Sequence, residues 1–97
     1  VDCIPLLADV ARLAGAGYIT GTSARNWMGY CADVDLAPGI SEMQRALLTD
    51  PQTSGGLLVA CTPEASDTVL EAFRSEGFDS AAVVGRLESG PARVTVV

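Results

Sequence analysis

The sequence predicts an α+β chain in which helices pack on one face of a mixed β-sheet. Three observations carry that reading. Apolar residues recur at helical spacing near the start, at Ile4, Leu7, Ala11 and Ala14. Two segments open with strong helix-start signals, Ser41 with Gln44 three residues on, and Thr62-Pro63-Glu64. Two short apolar runs, 57–61 and 81–87, flank the second of those helices as strands would.

In chain order, residues 3–14 are expected to be helical, with Pro5 tolerated in the first turn and Leu6, Val10 and Leu13 widening the stripe. Gly15 and Gly17 end that helix. Tyr18-Ile19-Thr20 reads as a short extended piece, and Ala24 to Trp27 as a helical turn. Residues 30–40 read as loop, where Asp33 and Asp35 alternate with Val34 and Leu36 before Pro38-Gly39. A helix then runs from Ser41, burying Met43, Ala46 and Leu47, and Asp50-Pro51 ends it because proline restricts the residue before it. Leu57 to Cys61 reads as a buried strand. The helix after Thr62 turns Ala65, Val69, Ala72 and Phe73 inward, with Leu70 beside them, and stops at Gly77. Residues 81–87 read as a strand, Ser89-Gly90-Pro91 as a turn and 93–97 as a last strand, placed to form a hairpin with 81–87.

Ninety-seven residues suit a single domain, 1–97, or a piece of one, and 48% hydrophobic residues argue for a folded chain. The opening on Val1 and an amphipathic helix leads us to expect the C-terminal part of a longer protein. Twelve acidic residues against six basic ones leave a net charge of −6, which disfavours nucleic acid and anionic membrane as partners. All six basic residues are arginine, so no imidazole base, lysine nucleophile or phosphate-binding lysine is available. Cys3, Cys31 and Cys61 lack zinc or disulfide spacing and read as reduced cytoplasmic thiols, Cys61 as a small core hydrophobe. No stretch has the length and apolarity of a membrane span.

The densest stretch is Asp50-Pro51-Gln52-Thr53-Ser54-Gly55-Gly56, a polar loop at the mouth of the 57–61 run. Its glycines permit positive φ or close approach, and its successive N–H groups could form an anion-binding nest. It is no Walker loop, having no lysine and a strand rather than a helix after it. The bland alternative is a turn that lets the backbone pass a neighbour. Thr22 and Asn26 share a face at i, i+4 spacing, so Asn26 reaches either a substrate group or a backbone end nearby. Arg25 meets either a phosphate or the nearby Asp33 or Asp35. Those two aspartates alone make no metal site. Trp27 reads as core, its N–H bonded, or as a partner-facing aromatic.

The run DPQTSGGLL from Asp50 to Leu58 resembles the signature of the selenophosphate synthetase (selenide, water dikinase) family. Gly21-Thr22-Ser23-Ala24-Arg25-Asn26 is similar to that family's Gly-Gly-Thr-x-x-Asn segment, with Thr20 standing where the first glycine would be. The superfamily also holds aminoimidazole ribonucleotide synthetase and thiamine-monophosphate kinase. The resemblance implies the C-terminal domain of an aminoimidazole ribonucleotide synthetase-like fold, incomplete here, with the N-terminal ATP-binding domain outside this stretch. It implies a parent that makes selenophosphate from selenide and ATP with Mg²⁺, releasing AMP and phosphate, and that works as a cytoplasmic homodimer. It places no catalytic and no metal-binding residue in this stretch, which alone is expected to be inactive without bound cofactor. Asp50, Gln52, Thr53, Ser54, Gly55 and Gly56, with Thr22 and Asn26, are the candidate substrate-binding residues. Two other readings stay open: a sister ATP enzyme of the superfamily, and a non-enzymatic module for metabolite binding or dimerisation.

Overall fold

A computed structural model describes residues 1–97. The elements run α1 (Val10–Gly15), α2 (Gly21–Tyr30), a 3₁₀ turn (Cys31–Asp33), β1 (Val34–Leu36), α3 (Glu42–Leu48), a 3₁₀ turn (Pro63–Ala65), α4 (Ser66–Ser75) and β2 (Val94–Val96). Helices with a small sheet make the chain α+β. It divides into two compact units, one of Val1, Leu6–Gly55 and Ser89–Val97, the other of Asp2–Pro5 and Gly56–Glu88.

In the first unit the opening helix is shorter than expected. Residues 3–9 are not helical, and Asp9 takes φ 66° as the residue before α1. A left-handed residue breaks any helix arriving from its N-terminal side, and aspartate is among the few side chains that tolerate it. Its carboxylate also takes the Arg12 Nε at 3.0 Å. The far end of α1 stops as expected. Gly17 has φ +91°, the Gly17 N–H bonds to Ala14 O and the Tyr18 N–H to Leu13 O, both at 3.0 Å. That is a Schellman cap, and it uses glycine for its positive φ.

The predicted turn at 24–27 is a full helix, α2, because Thr20 caps it by accepting the Ser23 N–H. The start of α3 is the expected capping box: Ser41 Oγ accepts the Gln44 N–H at 3.2 Å while Gln44 Oε1 accepts the Ser41 N–H at 2.9 Å. The helix presents Met43, Ala46 and Leu47, half-buried, to its neighbours α1 and α2.

The sheet differs most from expectation. Residues 34–36, read as loop, form β1, and β2 pairs with β1 in parallel, Val34 opposite Val94 and Leu36 opposite Val96. The hairpin with 81–87 does not form. A side-chain clamp accompanies this register: Arg93 Nε and Nη2 each donate to Asp35 at 2.7 Å, and Nη1 donates to Ala32 O at 3.2 Å. The bidentate guanidinium holds the Asp35 carboxyl below its ordinary value. The stability this pair supplies is therefore present above the ordinary aspartate pKa of about 4 and lost as pH falls through the depressed one. Asp35→Asn is expected to lower the melting midpoint modestly at neutral pH, because the pair is solvent-exposed. The difference from wild type should vanish in an acid titration followed by circular dichroism.

In the second unit, α4 follows its Thr62-Pro63-Glu64 start through one 3₁₀ turn, although the Thr62 side chain does not cap it. Ala65, Val69, Leu70 and Phe73 are half-buried and Ala72 is exposed. Gly77, at φ +89°, ends it in a second Schellman cap, where the Phe78 N–H bonds to Phe73 O at 3.0 Å and the two rings meet edge to face at 6.2 Å. The runs 57–61 and 81–87 join no ladder. Leu57, Leu58 and Leu87 are 81%, 86% and 88% exposed, and Cys61 is exposed rather than buried in a core. A strand stands on its partners, and these segments have none.

Burial is correspondingly thin. The chain exposes 7676 Å², and Ala14 is its one fully buried hydrophobic residue. A folded monomer of this mass exposes about 5,200 Å² on the usual scaling of area with mass. No helix is long and apolar enough to cross a membrane.

Candidate functional site

The exit of α3 and the turn that follows it, 50–55, belong to the first unit, and α2 is what holds them. At the centre is a buried hydroxyl pair. Ser23 Oγ donates to Ala46 O at 2.7 Å and lies within hydrogen-bond distance of Thr49 Oγ1, which also reaches Arg45 O at 3.0 Å. Ser23 and Thr49 are 2% and 5% exposed, and no buried side-chain polar atom in the chain lacks a partner. Ser23 thus serves the Ala46 carbonyl near the C-terminal end of α3, where backbone donors run out, while Arg45 O also takes the Thr49 N–H at 3.1 Å.

Asn26 completes the grip. Its Nδ2 donates to Thr49 O at 2.9 Å, so of its two readings the structure has it holding a backbone end. Thr22, half-buried, accepts from the exposed Arg25 through its Nη2 at 2.7 Å. Arg25 thus pairs with neither Asp33 nor Asp35, the latter being engaged by Arg93. Trp27 is half-buried, neither core nor free. Tyr30 meets it edge to face at 6.4 Å, and the Arg45 guanidinium stacks over its ring at 5.5 Å.

From this platform the turn begins at Asp50. The two oxygens of its carboxylate have different donors, Thr20 Oγ1 at 3.1 Å and Gln52 Nε2 at 3.3 Å. Thr53 and Ser54 follow as exposed turn residues. Gly55 does not use a positive φ. A Cβ there would come within 3.2 Å of Gln52 Cβ, so glycine serves close approach. Gly56 opens the second unit, takes no positive φ, and has open space where a Cβ would be. Of the two expected uses of glycine here, positive φ is absent from both, and close approach holds at Gly55 alone. A shallow, mainly apolar groove of about 210 Å³ lies beside the turn, lined by Val10, Leu13, Tyr18 and Leu47, with Thr20 and Asp50 among its polar lining.

Sequence reasoning gathered Asp50, Gln52, Thr53, Ser54, Thr22 and Asn26 but missed Thr20, Ser23 and Thr49. A hydroxyl just before a helical segment is an N-cap signal and flags Thr20. Nothing local marks its bond to a carboxylate thirty residues away. No group of three or more His, Cys, Asp or Glu is placed to hold a metal ion.

The Ser23–Thr49 pair gives a stability prediction. Ser23→Val is expected to cost about 1–3 kcal/mol, since it overfills the site and unpairs polar atoms already out of water. Thr22→Val, at a half-buried position whose hydroxyl is bonded only to the exposed Arg25 side chain, should cost less, within about 1 kcal/mol of wild type. Thermal melts of the two variants side by side check the contrast.

The chain is similar to proteins of known name. Residues 6–97 match the family model described as AIR synthase related protein, C-terminal domain. The selenide, water dikinase of Burkholderia orbicola (strain MC0-3) is 58% identical over 93 residues, which is 96% of this chain and 26% of that protein. The protein of the same name from Rhizobium meliloti (strain 1021) is 46% identical over 97 residues, 100% of this chain and 28% of its own length. That from Dechloromonas aromatica (strain RCB) is 42% identical over 94 residues, 97% of this chain and 27% of its own. The chain thus spans about a quarter of the curated relatives it matches. No solved structure matches it. The family model covers nearly the whole chain, and the chain belongs to the AIR synthase related proteins as their C-terminal domain.

Proposed function

We propose that this chain is part of a selenide, water dikinase, which makes selenophosphate from selenide and ATP with release of AMP and phosphate. The observation that carries the reading is the DPQTSGG run at Asp50–Gly56 in a chain similar over 96% of its length to proteins of that name. On this reading the stretch forms part of the wall of the active-site cleft, with Asp50, Gln52, Thr53, Ser54, Gly55 and Gly56 nearest the chemistry. Thr53 and Ser54 offer exposed hydroxyls, beside turn N–H groups of the kind that ribose and phosphate oxygens accept from. Thr22 and Asn26 serve from behind, Asn26 through its hold on Thr49 O.

The residues present do not fit a Mg²⁺ site. Asp33 and Asp35 bring too few oxygens, and Asp35 is committed to Arg93. The ion, the reactive nucleophile and the triphosphate-binding cations fall to the rest of the parent, as does assembly into a cytoplasmic homodimer. The finer architecture is proposed on the same basis. Residues 57–61 and 81–87, apolar and without ladder partners here, join a mixed sheet with helices on one face once the parent supplies neighbouring strands. Residues 1–97 then form one C-terminal α+β domain.

Phosphorus NMR on the full-length parent with ATP, Mg²⁺ and selenide tests the reading. AMP and a selenophosphate resonance, both dependent on selenide, are expected. ATP left intact by folded, reduced parent would overturn it. Turnover of thiamine monophosphate or formylglycinamidine ribonucleotide instead would make the parent a sister enzyme.

A further inference from the structure

We infer that Thr20 is a positioning residue that fixes the Asp50 carboxylate at the head of the 50–56 turn. The inference rests on the reading of that turn as part of the active-site wall. One hydroxyl makes two bonds here: Thr20 Oγ1 accepts the Ser23 N–H at 3.3 Å and donates to Asp50 Oδ1 at 3.1 Å. A hydroxyl has one proton and two lone pairs, so both bonds form at once. The other carboxylate oxygen takes Gln52 Nε2 at 3.3 Å. With a donor on each oxygen, rotation of the carboxylate is opposed from both sides, while a carboxylate keeps further lone pairs for a ligand.

Thr20 can do this because its own position is fixed. It sits at the head of α2, and α2 is tied to the end of α3 through Ser23 and Asn26. The backbone leading into Asp50 and the side chain gripping it are thus parts of one framework. Capping alone does not account for a threonine here. Glycine is nearly as good at a helix N-cap, within a few tenths of a kcal/mol of the hydroxyl residues. What glycine lacks is a donor for Asp50.

The test uses the full-length parent carrying Thr20→Gly, Thr20→Ser or Asp50→Ala, with ATP, Mg²⁺ and selenide as substrates. Thr20→Gly is expected to lower kcat about fivefold to tenfold and leave KM for ATP within twofold, and Thr20→Ser to restore kcat to within twofold of wild type. Backbone ¹⁵N relaxation in the resting protein gives a readout apart from turnover. Thr20→Gly should increase fast backbone motion at Gln52–Gly56 and leave Asn26–Tyr30 unchanged, whereas a role confined to capping would loosen the start of α2 alone. Unchanged relaxation at 52–56 in Thr20→Gly overturns the inference, as does full kcat in Thr20→Gly beside an impaired Asp50→Ala. Full turnover in Asp50→Ala together with greater motion at 52–56 in Thr20→Gly keeps the link and removes the turn from the active site.

Discussion

Purified alone, the 97-residue chain is expected to self-associate and to turn over no ATP. The sedimentation coefficient should rise with concentration, and the thermal transition should be broad and concentration-dependent. The cause is area. The chain exposes 7676 Å² against about 5,200 Å² for a folded monomer of its mass, and the excess includes Leu57, Leu58, Val83 and Leu87 on segments with free backbone N–H and C=O groups. Apolar edges of that kind are templates for pairing with another chain. The silence towards ATP follows from side-chain chemistry, since the stretch has neither lysine nor histidine. A monomer at every concentration, melting cooperatively at one temperature, would contradict the prediction. So would ATP cleavage by the purified stretch.

In the full-length parent, Asp50→Ala is expected to reduce kcat/KM for selenophosphate formation about tenfold to a hundredfold. Groups that align reacting partners have effects of that size, and Asp50 is the one charged side chain of the 50–56 turn. Thr53→Ala removes a neutral hydrogen-bonding group and should cost about twofold to tenfold. Steady-state kinetics with ATP varied at saturating selenide separates the two parameters. If both variants kept wild-type ATP affinity and turnover, the assignment of the turn to the active site would have to be withdrawn.

What could be read from the sequence was local. The Ser41–Gln44 capping box, the stops at Gly17 and Gly77 and the Thr62-Pro63-Glu64 start each depend on residues within a few positions of one another, and each was legible. Of the strands only the last was, since 93–97 holds β2; its pairing and the other strands were not, because a strand is defined by its partner. Val34–Leu36 is three residues long, with Asp33 before it and Asp35 within it, and only pairing with Val94–Val96 makes it a strand. Residues 57–61 and 81–87 have the composition of strands and no neighbour to pair with. Asp9 hid its break for another reason: a left-handed aspartate leaves no mark on an otherwise helical pattern. At the candidate site the polar residues of the turn were evident from their density. The supports were not, because Ser23, Thr49 and Thr20 meet across 23 to 30 positions of sequence.

The clamp of Arg93 on Asp35 joins residues 58 positions apart. During synthesis β1 therefore emerges long before its partner. At about 5–20 residues per second, roughly 3–12 s pass before β2 exists to pair with it. Closing so long a loop also carries an entropic cost that a hairpin avoids. The second unit has no such wait, since 56–88 is nearly all of it and is contiguous. The segment inserted in the middle of the sequence can thus take shape while the strand made before it still has no partner. Residues 34–36 are exposed to the chaperone machinery over that interval, and slowing translation between Leu36 and Arg93 would lengthen it.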